Sequence, residues 1–196
     1  MNDLIYLVRH GEWNLQGRRQ GRKDSSLTPR GKAQAVAYAE WLRAQPNSTD
    51  LRIRSSPLGR ALGTALIIRS SLQTGGDRFH VDEDLAEFDY GSWAGLVDAE
   101  VEARFPGQLA RRETDKWNYQ VPGGESYAQM AQRVGGWLRA QRYKDQLIVV
   151  AHEMVSRLLR GLYLDMSTND ILALRHPQTD VFILSGGVVT RVSVGA

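Results

Sequence analysis

Two short runs constrain this chain more than anything else in it: LIYLV at residues 4–8 and LIVVA at 147–151, both apolar without interruption and rich in β-formers. A strand with one face in water alternates apolar and polar. A run that is apolar at every position is covered on both faces, as central strands of parallel sheets are. Between the two runs the period changes to three and four. Pro29 opens a helical pattern through Ala33, Val36, Ala37, Trp41 and Leu42, with Thr28 placed as its N-cap. A second strand is expected at Leu51–Arg54, a helix from Pro57 through Ala61, Ala65 and Ile68, and a third strand at Phe79–Val81.

The stretch from Asp84 to Gly124 is irregular, punctuated by Gly and Pro, and reads as an insertion over the main body and the active site. A helix from Ser126 to about Arg142 carries Met130, Val134, Trp137 and Leu138 on one face. The strand Leu147–His152 and a helix Val155–Leu164 follow. Asp180–Leu184 and Val188–Val194 flank Gly186-Gly187 as a closing hairpin. Strands alternating with helices predict an α/β fold, a largely parallel central sheet with helices on both faces. At 196 residues the chain fits a single domain, 1–196.

Composition removes several function classes. With no cysteine there is neither a disulfide framework nor a thiolate metal site, which agrees with a cytoplasmic setting. No apolar stretch approaches the ~20 residues that span a bilayer, and residues 1–20 hold no apolar signal core. No membrane partner is therefore expected. Twenty-five basic residues against 22 acidic ones leave a net charge of +3, mostly a mixed surface. The exception is RRQGRK at 18–23, a basic run with no acid in it. A nucleic-acid arm is one reading of it, but such arms are usually longer or lie along a helix face. A solvated loop, or a rim that steers a small anion, serves as well. No nucleic-acid partner is expected.

In open α/β sheets, ligands bind at the carboxyl ends of the strands. Two of the four histidines, His10 and His152, each sit just past an apolar strand, at that edge. His80 and His176 have no such setting and read as structural. Beside His10 stand Arg9, whose planar fork suits phosphate or carboxylate, Gly11, which allows close backbone approach, and Asn14, an amide donor. Arg60, one turn into the helix after the second strand, faces the same edge. Two arginines, an asparagine and two histidines would suit a phosphate dianion. Nothing in the chain suggests a metal or another cofactor, and a neutral imidazole can serve as nucleophile. The leaving oxygen needs a proton. Glu87 is the candidate donor, against the reading of an exposed loop acid, with Glu12 as a rival.

RHGE after the first strand, SSPLGRALGTA, LAEFDYGSWAG, VPGGES and VVAH, in this order, resemble the histidine phosphatase superfamily in its phosphoglycerate-mutase-like branch. The resemblance runs over about the first 165 residues. It implies a phosphoglycerate-mutase-like fold and a phosphohistidine mechanism. His10 would attack phosphorus, Arg9, Asn14, Arg60 and His152 would hold the equatorial oxygens, and Glu87 would protonate the leaving alkoxide. The implied enzyme is a metal-independent, acid-type phosphatase acting on a small phosphorylated metabolite. Burial would raise the pKa of Glu87 and the arginines would lower it.

Two positions depart from the family pattern. Trp13 stands where threonine is common, either walling the cleft or packing. Glu153 stands where glycine usually follows the second histidine. Aimed at the phosphate, its carboxylate would oppose binding by about 4 kcal/mol at ~4 Å and an effective dielectric near 20. Turned away, at the start of the next helix, it would gain ~0.3–1 kcal/mol. Mutases of the family follow the glutamate with an arginine, absent here after Glu87, and are longer, which favours hydrolysis over phosphoglycerate mutase chemistry. The reading from another class is a phosphate-binding module silenced by Glu153. The substrate and the oligomeric state are not legible in the chain.

Overall fold

The structure is a computed structural model describing residues 4–14, 17–141 and 146–195. The chain opens with β1 (Leu4–Arg9), α1 (Pro29–Arg43), β2 (Arg52–Ser55), α2 (Gly59–Leu72) and β3 (Phe79–Val81). Two short helices follow, α3 (Asp98–Arg104) and α4 (Gln108–Thr114), then α5 (Tyr127–Ala140). The last part holds β4 (Gln146–Ala151), α6 (Glu153–Tyr163), α7 (Thr168–Ala173), β5 (Asp180–Ser185) and β6 (Val188–Ser193).

The strands form one sheet in the order β3-β2-β4-β1-β5-β6. β1 pairs in parallel with β4, and β2 in parallel with both β4 and β3. β5 and β6 add antiparallel at one edge. The two apolar runs are thus neighbours at the centre, in register from Leu4↔Gln146 to Arg9↔Ala151. Their side chains alternate between two cores, as the two-residue period of a strand requires. Tyr6, Val8, Ile148 and Val150 pack against α1 and α2 through Tyr38, Leu42, Ala61, Ala65 and Ile68. Ile5, Leu7, Leu147 and Val149 pack on the other face against Met130 and Val134 of α5 and Leu158 and Leu159 of α6. Helices therefore cover both faces. The segment 84–124 lies on this second face, with Leu85, Phe88, Trp93, Val101 and Val121 buried in the same cluster.

Thr28 is the N-cap of α1, accepting from the Gly31 N–H at 3.0 Å. Ser126 and Gln129 form a reciprocal capping box on α5. The expected end of α5 at Arg142 lies outside the described residues. α2 begins at Gly59 rather than Pro57, because the Asp24 carboxylate accepts the Gly59 N–H at 2.6 Å and caps the helix from a distant loop. α6 begins two residues earlier than expected, with His152 as its N-cap. The short helices α3, α4 and α7 were not anticipated. At six or seven residues they complete fewer than two turns, too few to show a period.

Candidate active site

β1 and β4 end together, and their ladder runs one step further: the His10 N–H donates to the Ala151 carbonyl at 3.0 Å. This brings His10 and His152 side by side, with ring centroids 5.0 Å apart. Both are almost wholly buried, at 2% and 0% exposure. His10 Nδ1 lies 2.8 Å from the Gly11 carbonyl, which can only accept, so Nδ1 carries the proton. Arg60 Nε, which can only donate, lies 3.3 Å from His10 Nε2. Two independent contacts therefore fix one tautomer, neutral and with its lone pair on Nε2. Burial, and after it the charges of Arg60 and Arg9, hold the His10 pKa well below the usual histidine range.

Arg60 is buried, and its other donors reach the carbonyls of Lys23 at 3.0 Å and Gly21 at 2.8 Å. One side chain thus ties the basic loop to the nucleophile. Arg9 is anchored by donating to the His176 carbonyl at 2.6 Å. The His176 ring sits between Ser156 Oγ (2.6 Å) and the Asp180 carbonyl (3.0 Å), buried and neutral, in the structural role expected of it. Trp13 packs edge-on against His10 with centroids 4.7 Å apart. The guanidinium carbons of Arg9 and Arg60 lie 5.8 and 5.9 Å from the centre of its ring. The negative ring face offsets part of their mutual repulsion.

A cavity of about 350 Å³ opens over these groups, a size suited to a small metabolite. Arg9, His10, Trp13, Arg60 and Glu87 line it. Glu87 accepts its neighbour's N–H, from Phe88, at 2.9 Å. Its pKa is raised: burial outweighs that bond, the charges of Arg60 and Arg9 and the Met154 N–H at the start of α6. Of the opposing influences expected from the sequence, burial is the larger and the shift is upward. His152 stands behind His10 rather than in the cavity wall. Its Nε2 is 2.7 Å from Ser56 Oγ, and Nδ1 has no partner among the described protein atoms. Burial, then the nearby His10 and Arg60, lower its pKa far below the histidine range.

Three expectations need correction. Asn14 is exposed and lies outside the cavity lining, because the chain turns after Trp13 pairs with Leu27. Gly11 does not line the cavity either. Its N–H donates to Thr64 Oγ1 at 3.1 Å, and a Cβ there would sit 2.2 Å from the Gly31 carbonyl oxygen, so glycine is demanded by packing against α1. Glu153 does start a helix, but it is not turned away. It lines the cavity with its carboxylate held between Arg9 (3.0 Å) and Arg157. Glu12, the rival acid, accepts from Thr28 Oγ1 at 3.0 Å and is spent on the α1 cap.

Arg157, Tyr90 and Asp98 also line the cavity and were not foreseen. Arg157 had a signal, since Glu153 and Arg157 stand four apart on a helix. Tyr90 comes from irregular backbone and Asp98 from the first residue of the short helix α3, where spacing says nothing about direction. The basic run 18–23 finds its counter-charges in space: Arg18 pairs with Glu100 at 2.8 Å, Arg19 with Asp98 at 2.5 Å, and Arg22 with Glu125 at 3.6 Å.

Comparison with known proteins bears on this arrangement. A mycobacterial glucosyl-3-phosphoglycerate phosphatase, solved in complex with VO3, is 30% identical, with a TM-score of 0.75 over 97% of this chain and 96% of that one. The alpha-ribazole phosphatase from Shigella flexneri shares the fold, with a TM-score of 0.82 over 97% and 95% of the two chains at 24% identity. The curated 6-phosphofructo-2-kinase/fructose-2,6-bisphosphatase of Gallus gallus is 33% identical over 92% of this chain but only 37% of its own length. The chain thus spans about a third of the curated relatives it matches. The acid-type label drawn from the sequence is corrected, because it names a different enzyme class from the branch matched here. The model of the histidine phosphatase superfamily, branch 1, matches residues 5–188, and with the phosphoglycerate-mutase-like fold this establishes that the chain belongs to that superfamily.

Proposed function

We propose that the chain is a phosphomonoesterase acting on a small phosphorylated metabolite through a phosphohistidine at His10. The observation that supports this most is the His10 tautomer, with Nδ1–H bound to the Gly11 carbonyl and the lone pair of Nε2 at the cavity. Nε2 attacks phosphorus, the P–N bond forms and the bond to the ester oxygen breaks. Glu87 gives its proton to the leaving alkoxide. As phosphorus approaches, Arg60 exchanges its bond to Nε2 for a phosphoryl oxygen, and with Arg9 it stabilises the equatorial charge. His152, buried behind His10 and bonded to Ser56, packs against the nucleophile's ring. Water then attacks phosphorus, Glu87 takes the water proton, the P–N bond breaks, and phosphate leaves with His10 neutral again.

Glu153 gives the silenced-module reading little support. Its carboxylate is held by two guanidiniums, so it does not face a bound phosphate as an unpaired charge. The names of the similar proteins, a glucosyl-3-phosphoglycerate phosphatase and a fructose-2,6-bisphosphatase, also favour a small metabolite as substrate. The test is phosphate release from p-nitrophenyl phosphate and a panel of sugar, nucleotide and glycerate phosphates. His10→Ala is expected to lose at least ~10³-fold in kcat, vanadate to inhibit, and chelators to leave the rate unchanged. Equal turnover by His10→Ala would overturn the mechanism.

A further inference from the structure

Five arginines line the cavity, and they are not alike. Arg60, on the nucleophile, donates to His10 and to two backbone carbonyls, and among the described residues it is the one lining arginine without an ion-paired carboxylate. Each of the other four lining arginines is ion-paired, but Arg9 and Arg157 share one carboxylate. Arg18 holds Glu100 at 2.8 Å and Arg19 holds Asp98 at 2.5 Å, while Glu153 bridges Arg9 at 3.0 Å and Arg157. With Arg9 and Arg60 turned to the phosphoryl group, the surplus positive charge lies where that group reacts, while Arg18, Arg19 and Arg157 meet Glu100, Asp98 and Glu153 where the rest of the substrate lies.

From this we infer that the enzyme selects phosphomonoesters whose leaving group is uncharged and rich in hydroxyls, with Glu153 as a specificity-determining residue. The inference rests on the phosphatase reading above. A second carboxylate or phosphate on the substrate would have to displace Glu153 or Asp98 from an arginine and would meet the displaced carboxylate at close range. A hydroxyl both donates and accepts, so it satisfies an arginine–carboxylate pair without breaking it. Tyr90 also lines the cavity.

Four substrates read this out: p-nitrophenyl phosphate as reference, glucose 6-phosphate and a nucleoside 5′-monophosphate with neutral leaving groups, and 3-phosphoglycerate with an anionic one. In the wild type, kcat/KM is expected to be at least tenfold higher for the neutral pair than for 3-phosphoglycerate. Glu153→Gln, which frees Arg157, should shift that ratio at least tenfold towards 3-phosphoglycerate, and Glu153→Asp, which keeps the charge, should not. A wild-type preference for 3-phosphoglycerate, or a ratio unmoved in Glu153→Gln, would overturn the inference while leaving the phosphatase intact. A wild type that turns over none of the four, p-nitrophenyl phosphate included, removes both.

Discussion

At the residue scale, the proposed catalysis depends on two groups whose pKa values are displaced from their ordinary ranges. Burial and two neighbouring arginines push the His10 pKa well below the histidine norm, which favours the neutral ring with its lone pair on Nε2. A carboxyl buried at the cavity wall, Glu87, has its pKa raised above the ordinary carboxylate range. The first step of the proposed mechanism calls for a protonated Glu87, so kcat/KM should fall as pH rises through that raised value. His10 should contribute no acid limb near pH 6.5, its pKa lying well below. Glu87→Gln should lose the alkaline limb attributed to Glu87 and drop kcat by about 10²–10⁴-fold. The loss should be smaller with p-nitrophenyl phosphate, whose leaving group needs less help, than with an alkyl phosphate. Comparison with the variant separates this limb from the substrate's own second ionisation near pH ~6. An identical pH profile in the two proteins would remove Glu87 from the acid role.

At the scale of elements, the join between β1 and α1 leaves no room for a side chain. Gly11 and Gly31 face each other closely enough that a Cβ on Gly11 meets the Gly31 carbonyl oxygen at 2.2 Å, and one on Gly31 meets the Glu12 carbonyl oxygen at the same distance. Both obstacles are backbone, which yields only by moving the strand end or the helix. Gly11→Ala is expected to destabilise by ~1–3 kcal/mol, read from the urea midpoint, and to lower kcat because His10 is carried on the same turn. An unchanged midpoint would contradict the packing role. The regular elements were legible because each repeats a period: two continuous apolar runs, three amphipathic helices and a hairpin at Gly186-Gly187. What escaped had no period to show, as with α3, α4 and α7, or took its boundary from far away, as α2 does from Asp24.

For the whole molecule, three buried neutral histidines couple folding to pH. His10, His152 and His176 all have folded pKa values below the histidine norm of 6.5, that of His176 at about 3. Below pH 6.5 the unfolded chain takes up protons that the folded one refuses. Their stabilising contribution is therefore complete above 6.5 and is lost as pH falls towards the folded values. Each proton contributes a slope of about 1.4 kcal/mol per pH unit. The urea midpoint should drop steadily from pH 7 to pH 5, and His176→Asn should flatten the decline; an equal slope in that variant would assign the effect elsewhere. The site was partly legible at this scale too. Strand ends could be matched to histidines and arginines by position, but the direction of a loop side chain is set by tertiary packing. Tyr90 is such a residue and Asn14, just past Trp13, lies outside the cavity lining, whereas Glu153 and Arg157 stand four apart on α6 and their pairing follows helical spacing. The most direct test of the central claim is a rapid acid-free quench of the enzyme turning over a ³²P-labelled phosphomonoester, followed by mapping of the labelled peptide. An alkali-stable, acid-labile phosphoryl group on His10, absent from His10→Ala, is the expected result. Steady turnover with no label on His10 at any quench time, together with undiminished activity in His10→Ala, would contradict it.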